Sequence, residues 1–230
     1  MLLVGWLWLP VPSALFAQSD RQPAPTTDSR STAQRLEEMG LVDVTTLDSN
    51  LIVRLPYATS DNFTGQVLYE DLKTAFLQPE VAVQLQQAVR ILRRLHPDYR
   101  LLIYDAARPL SIQRRMWQIV QGTPQQIYVS NPAKGGGLHN YGAAVDLTLA
   151  DRHGNPLPMG TPFDYFGPEA HIDHEAELVT QGKLTAAEVR NRQLLRQVMR
   201  AAGFIPLRSE WWHFNALRLS EAKLRYTPIE

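Results

Sequence analysis

Six histidines, at positions 96, 139, 153, 171, 174 and 213, and no cysteine bound the chemistry open to this 230-residue chain. Without thiols there is no disulfide, zinc ribbon, iron–sulfur cluster or cysteine nucleophile. Any metal must be held by His, Asp or Glu. His139 follows three glycines, Gly135 to Gly137, where the backbone is permissive. Downstream, Asp146 interrupts the apolar run Ala143–Leu149. A carboxylate between Val145 and Leu147 in a strand is costly unless it is paired or bound to a metal. One reading has His139 and Asp146 converge on a single cation. The other pairs Asp146 with an arginine and leaves His139 on a surface loop.

Glu210-Trp211-Trp212-His213 is the second cluster. A neutral imidazole is a zinc ligand, and a nearby carboxylate outside the ligand set can act as base toward metal-bound water. Residues three apart on a straight strand point to opposite faces. Glu210 must therefore sit at the strand's start or on a bend. The bland alternative is an aromatic core strand with a satisfied His. Arg108 follows a buried strand and precedes a helix, where active-site loop residues are often found. A guanidinium suits a developing oxyanion because it stays charged and offers forked donors, though an ordinary ion pair also fits. The remaining histidines are weaker candidates. His171 and His174 lack the helical H-E-x-x-H spacing, His153 sits in a Gly-Asn-Pro turn, and His96 closes a helix.

The elements that position these residues are legible in outline. Leu41–Leu55 suggests one or two strands, and Asp61 to Gly65 is loop chemistry. Pro79 opens a helix to about Leu95, with Val81, Leu85, Ala88, Leu92 and Leu95 on one face. Tyr99–Tyr104 is a short buried strand. Ser111 is expected to cap a helix running to about Gln121. Ala143–Leu149 and Trp211–Phe214 read as strands, and Thr185 with Glu188 as a capping box for a helix ending at Gly203. Helices and strands alternate irregularly, so the expected class is α+β, a single domain.

Composition sets the remaining bounds. Hydrophobic residues are 44% and charged residues 20%, so the chain folds rather than stays disordered. The formal net charge is zero, which argues against a chain built for nucleic-acid backbones. Met1–Ala17 is apolar and uncharged, shorter than the about 20 residues a membrane span needs, and is read as a secretory signal cleaved before Gln18. An uncleaved anchor is the alternative. Residues 18–33 read as a flexible linker and 34–230 as the folded domain, exported to the periplasm or cell wall, with no membrane span once the signal is removed.

Five motifs in order from Tyr57 to His213 carry a family resemblance. Tyr57-Ala58-Thr59-Ser60-Asp61-Asn62-Phe63-Thr64-Gly65, Asp105-Ala106-Ala107-Arg108-Pro109, Gly137 to Asp146, Met159 to Asp164, and Glu210-Trp211-Trp212-His213 resemble the D-alanyl-D-alanine dipeptidase family. These are zinc peptidases related to D-Ala-D-Ala carboxypeptidases and hedgehog-type folds. The resemblance implies a central antiparallel sheet flanked by helices and one Zn2+ per chain, held by His139, Asp146 and His213. It further implies Glu210 as general base, Arg108 as oxyanion partner, and Tyr57 and Asp164 as contacts to a small peptide, D-Ala-D-Ala. Hydrolysis in peptidoglycan turnover or salvage is the implied role, and a D,D- or L,D-carboxypeptidase trimming longer stems is the alternative. One departure stands out. Gly137 occupies the position where the family pattern has a Ser associated with the substrate carboxylate.

Overall fold

The computed structural model describes residues 30–230. The segment read as a signal and most of that read as a linker lie outside the described residues. The element order is α1 (Thr32–Glu38), β1 (Val42–Asp43), β2 (Leu51–Val53), β3 (Phe76–Leu77), α2 (Pro79–Leu95), β4 (Arg100–Asp105), α3 (Leu110–Val120), β5 (Ala144–Ala150), α4 (Glu175–Thr180), α5 (Ala186–Ala201), β6 (Ile205–Pro206), β7 (His213–Asn215) and α6 (Leu219–Arg225). The class is α+β. Helix α1 starts inside the stretch read as linker, because Ser31 and Gln34 form a reciprocal capping box.

Five strands make the main sheet in the order β2-β4-β5-β7-β6. The pairs β4–β5, β5–β7 and β7–β6 are antiparallel. The pair β2–β4 is parallel, and α2 lies in its crossover, as parallel neighbours require. β1 and β3 form a separate antiparallel pair.

Helix α2 buries Val81, Ala82, Leu85, Ala88, Val89 and Leu92, so the predicted stripe is the core face. Leu95 is exposed, because the helix closes there on His96. The Thr185–Glu188 capping box forms at the start of α5. Helices α2 and α5 pack against each other and onto β4 and β5. Strand β5 is buried along its whole length, since it is central in the sheet and covered on both faces.

Two local expectations are corrected. Ser111 is not a cap. Helix α3 begins two residues earlier than that cap would place it, after Pro109, and the Leu110 N–H donates to the Ile229 carbonyl at 2.7 Å. The C-terminal segment satisfies that helix end, and Ser111 is exposed in the first turn. The strand expected over Trp211–Phe214 covers His213–Asn215, with both tryptophans in the turn before it.

Candidate metal centre and active site

Strand register assembles the site. His213 on β7 stands opposite Asp146 on β5, and Asp146 stands opposite Asp105 at the end of β4. Directly opposed residues share a sheet face. A register shift between Ile103 and Asp105 bends β4 there and re-aims its last residue. His139 arrives from a 3-10 turn, Leu138–Tyr141, which closes on Gly142 at φ +64. That left-handed conformation favours glycine there, and a side chain at 142 would also have to displace the tip of Leu41, whose Cδ2 would lie at 2.9 Å.

Hydrogen bonds fix the two imidazoles. His139 Nδ1 lies 2.7 Å from the Ala106 carbonyl. A carbonyl only accepts, so Nδ1 carries the proton and Nε2 presents a lone pair. His213 Nε2 lies 2.7 Å from Asn215 Oδ1, which leaves the lone pair on Nδ1. The two lone pairs face each other at 3.1 Å. Asp146 completes the set, with Oδ2 3.2 Å from His139 Nε2 and Oδ1 2.9 Å from His213 Nδ1.

Three acceptors this close repel unless a proton or cation lies between them. In the protonated case, burial opposes charge on His139, yet Asp146 holds its pKa above the usual imidazole value. Burial likewise opposes the Asp146 anion, yet the two histidines hold that carboxyl far below its usual range. A tetrahedral zinc with bonds of about 2.0–2.1 Å spaces its ligand atoms about 3.3 Å apart. The donor set, its spacing and the two fixed tautomers fit such an ion. It is the only cluster of this kind among the described residues. His153 and His174 are exposed elsewhere on the surface, His96 stacks on Tyr99, and His171 does not join the cluster.

Glu210 lies in the turn before β7, as the spacing argument required. Its Oε2 stands 4.0 Å from His213 Nδ1, and its side chain is 13% exposed. Burial pushes its carboxyl up to about 7, His213 opposes that rise, and Asp146 and Asp164 add to it.

Arg108 is buried rather than a surface ion pair. Its Nε and Nη2 donate to Asp105 Oδ2 at 2.8 and 2.5 Å, and Nη1 donates to Gln113 Oε1 at 3.0 Å. Asp146 Oδ2 is 3.8 Å from Nη2. Asp146 thus faces the histidines first and the guanidinium at longer range, and His139 is buried rather than on a surface loop. The loop of Arg108 is laced to that of His139. The Arg108 N–H donates to the His139 carbonyl at 3.0 Å, and buried Asn140 donates to the Arg108 carbonyl at 2.8 Å.

Tyr57 and Asp164 meet on another wall of the cavity. The Tyr57 hydroxyl donates to Asp164 Oδ2 at 2.8 Å. Asp164 has φ +59, a left-handed conformation that Asp tolerates better than most residues. Its loop is fixed from behind. Trp211 Nε1 donates to Thr161 Oγ1, Arg192 Nε donates to the Met159 carbonyl, and Phe163 packs edge-on against Trp212. Burial pushes the Asp164 carboxyl well above its usual range, and the Asp146 charge adds to the rise.

All seven sequence-predicted residues line one cavity of about 250 Å³. Drug-sized ligands occupy pockets of about 300–1,000 Å³, so this one suits something smaller. Sequence reasoning gave no role to Asp105, Gln113, Asn140 or Asn215, which orient the others. The D-x-x-R-P motif contained Asp105, but nothing in the string showed that its partner was the arginine three residues on.

Fold and donor set define a single-domain α+β protein with a buried cluster able to hold one metal ion. A family profile described as D-Ala-D-Ala dipeptidase matches residues 37–224. A D-alanyl-D-alanine dipeptidase of Escherichia coli K12 is 36% identical over 175 residues, covering 76% of this chain and 83% of its own. One from Enterococcus faecalis is 30% identical over 181 residues, covering 70% and 83%. One from Synechocystis is 28% identical over 176 residues, covering 64% and 71%. The chain belongs to the D-Ala-D-Ala dipeptidase family and is a peptidase.

Proposed function

We propose that this protein hydrolyses D-Ala-D-Ala with one zinc ion held by His139, Asp146 and His213. The observation that carries the reading is the pair of imidazole lone pairs aimed at each other across Asp146, with Glu210 and Arg108 beside them. Zinc bound there supplies an acidified water and polarises a carbonyl. Glu210, with its pKa near 7, takes the proton of the attacking water and passes it to the leaving amine. Arg108 is charged and anchored on two sides, so its remaining N–H groups can face the oxyanion without reorganising. Asp164, with Tyr57, receives the substrate's ammonium group. An incoming cation restores the charge that burial disfavours on Asp164.

Export belongs to the proposal as well. The apolar, uncharged Met1–Ala17 supports delivery to the periplasm or cell wall, where peptidoglycan turnover releases dipeptides for salvage. No helix among the described residues is long and apolar enough to cross a membrane.

The deciding experiment measures hydrolysis of D-Ala-D-Ala, L-Ala-L-Ala and a stem pentapeptide by the purified chain without residues 1–17, with zinc and with chelator. Cleavage of the D,D-dipeptide alone, lost on chelation and restored by zinc, supports the reading. Preferential cleavage of the pentapeptide replaces it with a carboxypeptidase.

Asp164→Asn makes a separate prediction. It should raise KM for D-Ala-D-Ala by about 10- to 100-fold, because a charge-assisted contact contributes about 1.5–3 kcal/mol. It should leave cleavage of N-acetyl-D-Ala-D-Ala, which lacks the ammonium, unchanged. Equal losses on both substrates would remove Asp164 from amine recognition.

A further inference from the structure

Gly137 has φ −111 and ψ −173, extended backbone that any residue adopts. Conformation therefore does not explain the glycine. Space does. A Cβ built at 137 would lie 2.7 Å from Ser130 Oγ and 3.2 Å from Ser130 Cβ. The first distance is closer than real side chains approach, so the hydroxyl would have to turn away, and the second is tight enough that Ser130 would also have to give by a few tenths of an ångström. Ser130, from the neighbouring loop, crowds the space that a side chain at 137 would take.

Ser130 follows the 3-10 turn Pro124–Tyr128 and lines the same cavity as His139 and Glu210. Its backbone is fixed, since Gln113 Nε2 donates to the Ser130 carbonyl at 2.8 Å and Gln113 Oε1 accepts from Arg108. Its hydroxyl makes no hydrogen bond to any described residue. A free hydroxyl on a tethered backbone, at the lip of a cavity, is a donor held ready for a ligand. The charge layout says which part of the ligand. Asp146, Asp164 and Glu210 stand close enough to repel one another, so their side of the cavity suits an ammonium and repels an anion. The wall running from Arg108 through Gln113 to Ser130 carries the cavity's guanidinium, paired behind with Asp105, and the open donor.

We infer that Ser130 is the specificity residue that binds the substrate's terminal carboxylate, and that Gly137 is the companion residue that makes room for it. The inference rests on the dipeptidase reading above. It assigns the hydroxyl missing from position 137 to a different loop, so the departure at Gly137 relocates a donor rather than removing one.

Ser130→Ala leaves the backbone bond to Gln113 intact, and its exposed position keeps folding out of the question. The variant should raise KM for D-Ala-D-Ala by about 10- to 100-fold, the range for a hydrogen bond to a charged group. Its kcat should stay within about threefold, and cleavage of the carboxyl-amidated dipeptide should not change. The reciprocal swap, Ser130→Gly with Gly137→Ser, should return KM to within about threefold of the wild-type value. Unaltered KM in Ser130→Ala, or equal loss on the acid and the amide, overturns the inference while leaving the dipeptidase reading intact. A wild-type chain that does not cleave D-Ala-D-Ala overturns both.

Discussion

Glu210→Gln should lower kcat for D-Ala-D-Ala by about 10²–10⁴-fold while leaving bound zinc at one per chain, the loss typical of removing a positioned general base. Gln matches Glu in size and can still hydrogen bond, so packing against the Trp212 turn is preserved. What disappears is basicity. Among the described residues the Glu210 side chain has no hydrogen-bond donor, and burial lifts its pKa to about 7. An acid with that value exchanges a proton with water and with an amine at neutral pH at little cost in either direction. Its 4.0 Å separation from His213 Nδ1 puts it beside the ligand cluster without being part of it. Metal analysis and kinetics on the same sample separate base from ligand. Zinc lost together with activity would make Glu210 a fourth ligand, and a kcat within about threefold of wild type would remove it from proton transfer. Folded stability should not fall, since a neutral amide is easier to bury than a carboxylate.

How much of this was legible beforehand depends on how local each cause is. His139 and Asp146 stood out because a carboxylate in an apolar strand demands an explanation, and the strand that carries it proved to be buried along its whole length. The Glu210–His213 spacing was resolved by geometry. A pair three apart cannot share a strand face, and the turn that ends at His213 removes the conflict. Helix α2 was readable from its stripe because periodicity is a property of the segment alone. The errors have one distant cause and one local one. The Leu110 N–H finds the Ile229 carbonyl far along the chain, so the cap expected at Ser111 was superfluous. The helix at Thr32 depends on a reciprocal bond between Ser31 and Gln34 in a stretch whose Pro, Ser and Thr content suggested a linker. Ser130 was invisible for the same reason as the Leu110 bond, since its relation to Gly137 exists only after two loops meet.

Asp105→Ala should be the most damaging substitution for stability in the site, at about 3–5 kcal/mol, the cost of stranding a buried charge. Asp105 is fully buried and its two oxygens serve three donors. Tyr69 donates its hydroxyl to Oδ1 at 2.6 Å, and Arg108 donates Nε and Nη2 to Oδ2. Removing the carboxylate leaves the Arg108 guanidinium charged with Gln113 as its remaining close partner, and leaves a buried phenol unpaired. For a chain of this length the loss corresponds to a fall in Tm of roughly 6–20 °C. Asp105→Asn keeps an acceptor but gives up the charge, so the expected order of stability is wild type, then Asn, then Ala. The link to function runs through Arg108. In the Asn variant, assayed well below its Tm, kcat/KM should fall mainly through kcat, because a guanidinium no longer clamped on two sides loses its aim at the oxyanion. Thermal unfolding and steady-state kinetics on the two variants test both halves. A Tm for Asp105→Ala within about 2 °C of wild type would mean that Arg108 finds another partner, with Asp146 at 3.8 Å the nearest carboxylate able to take it.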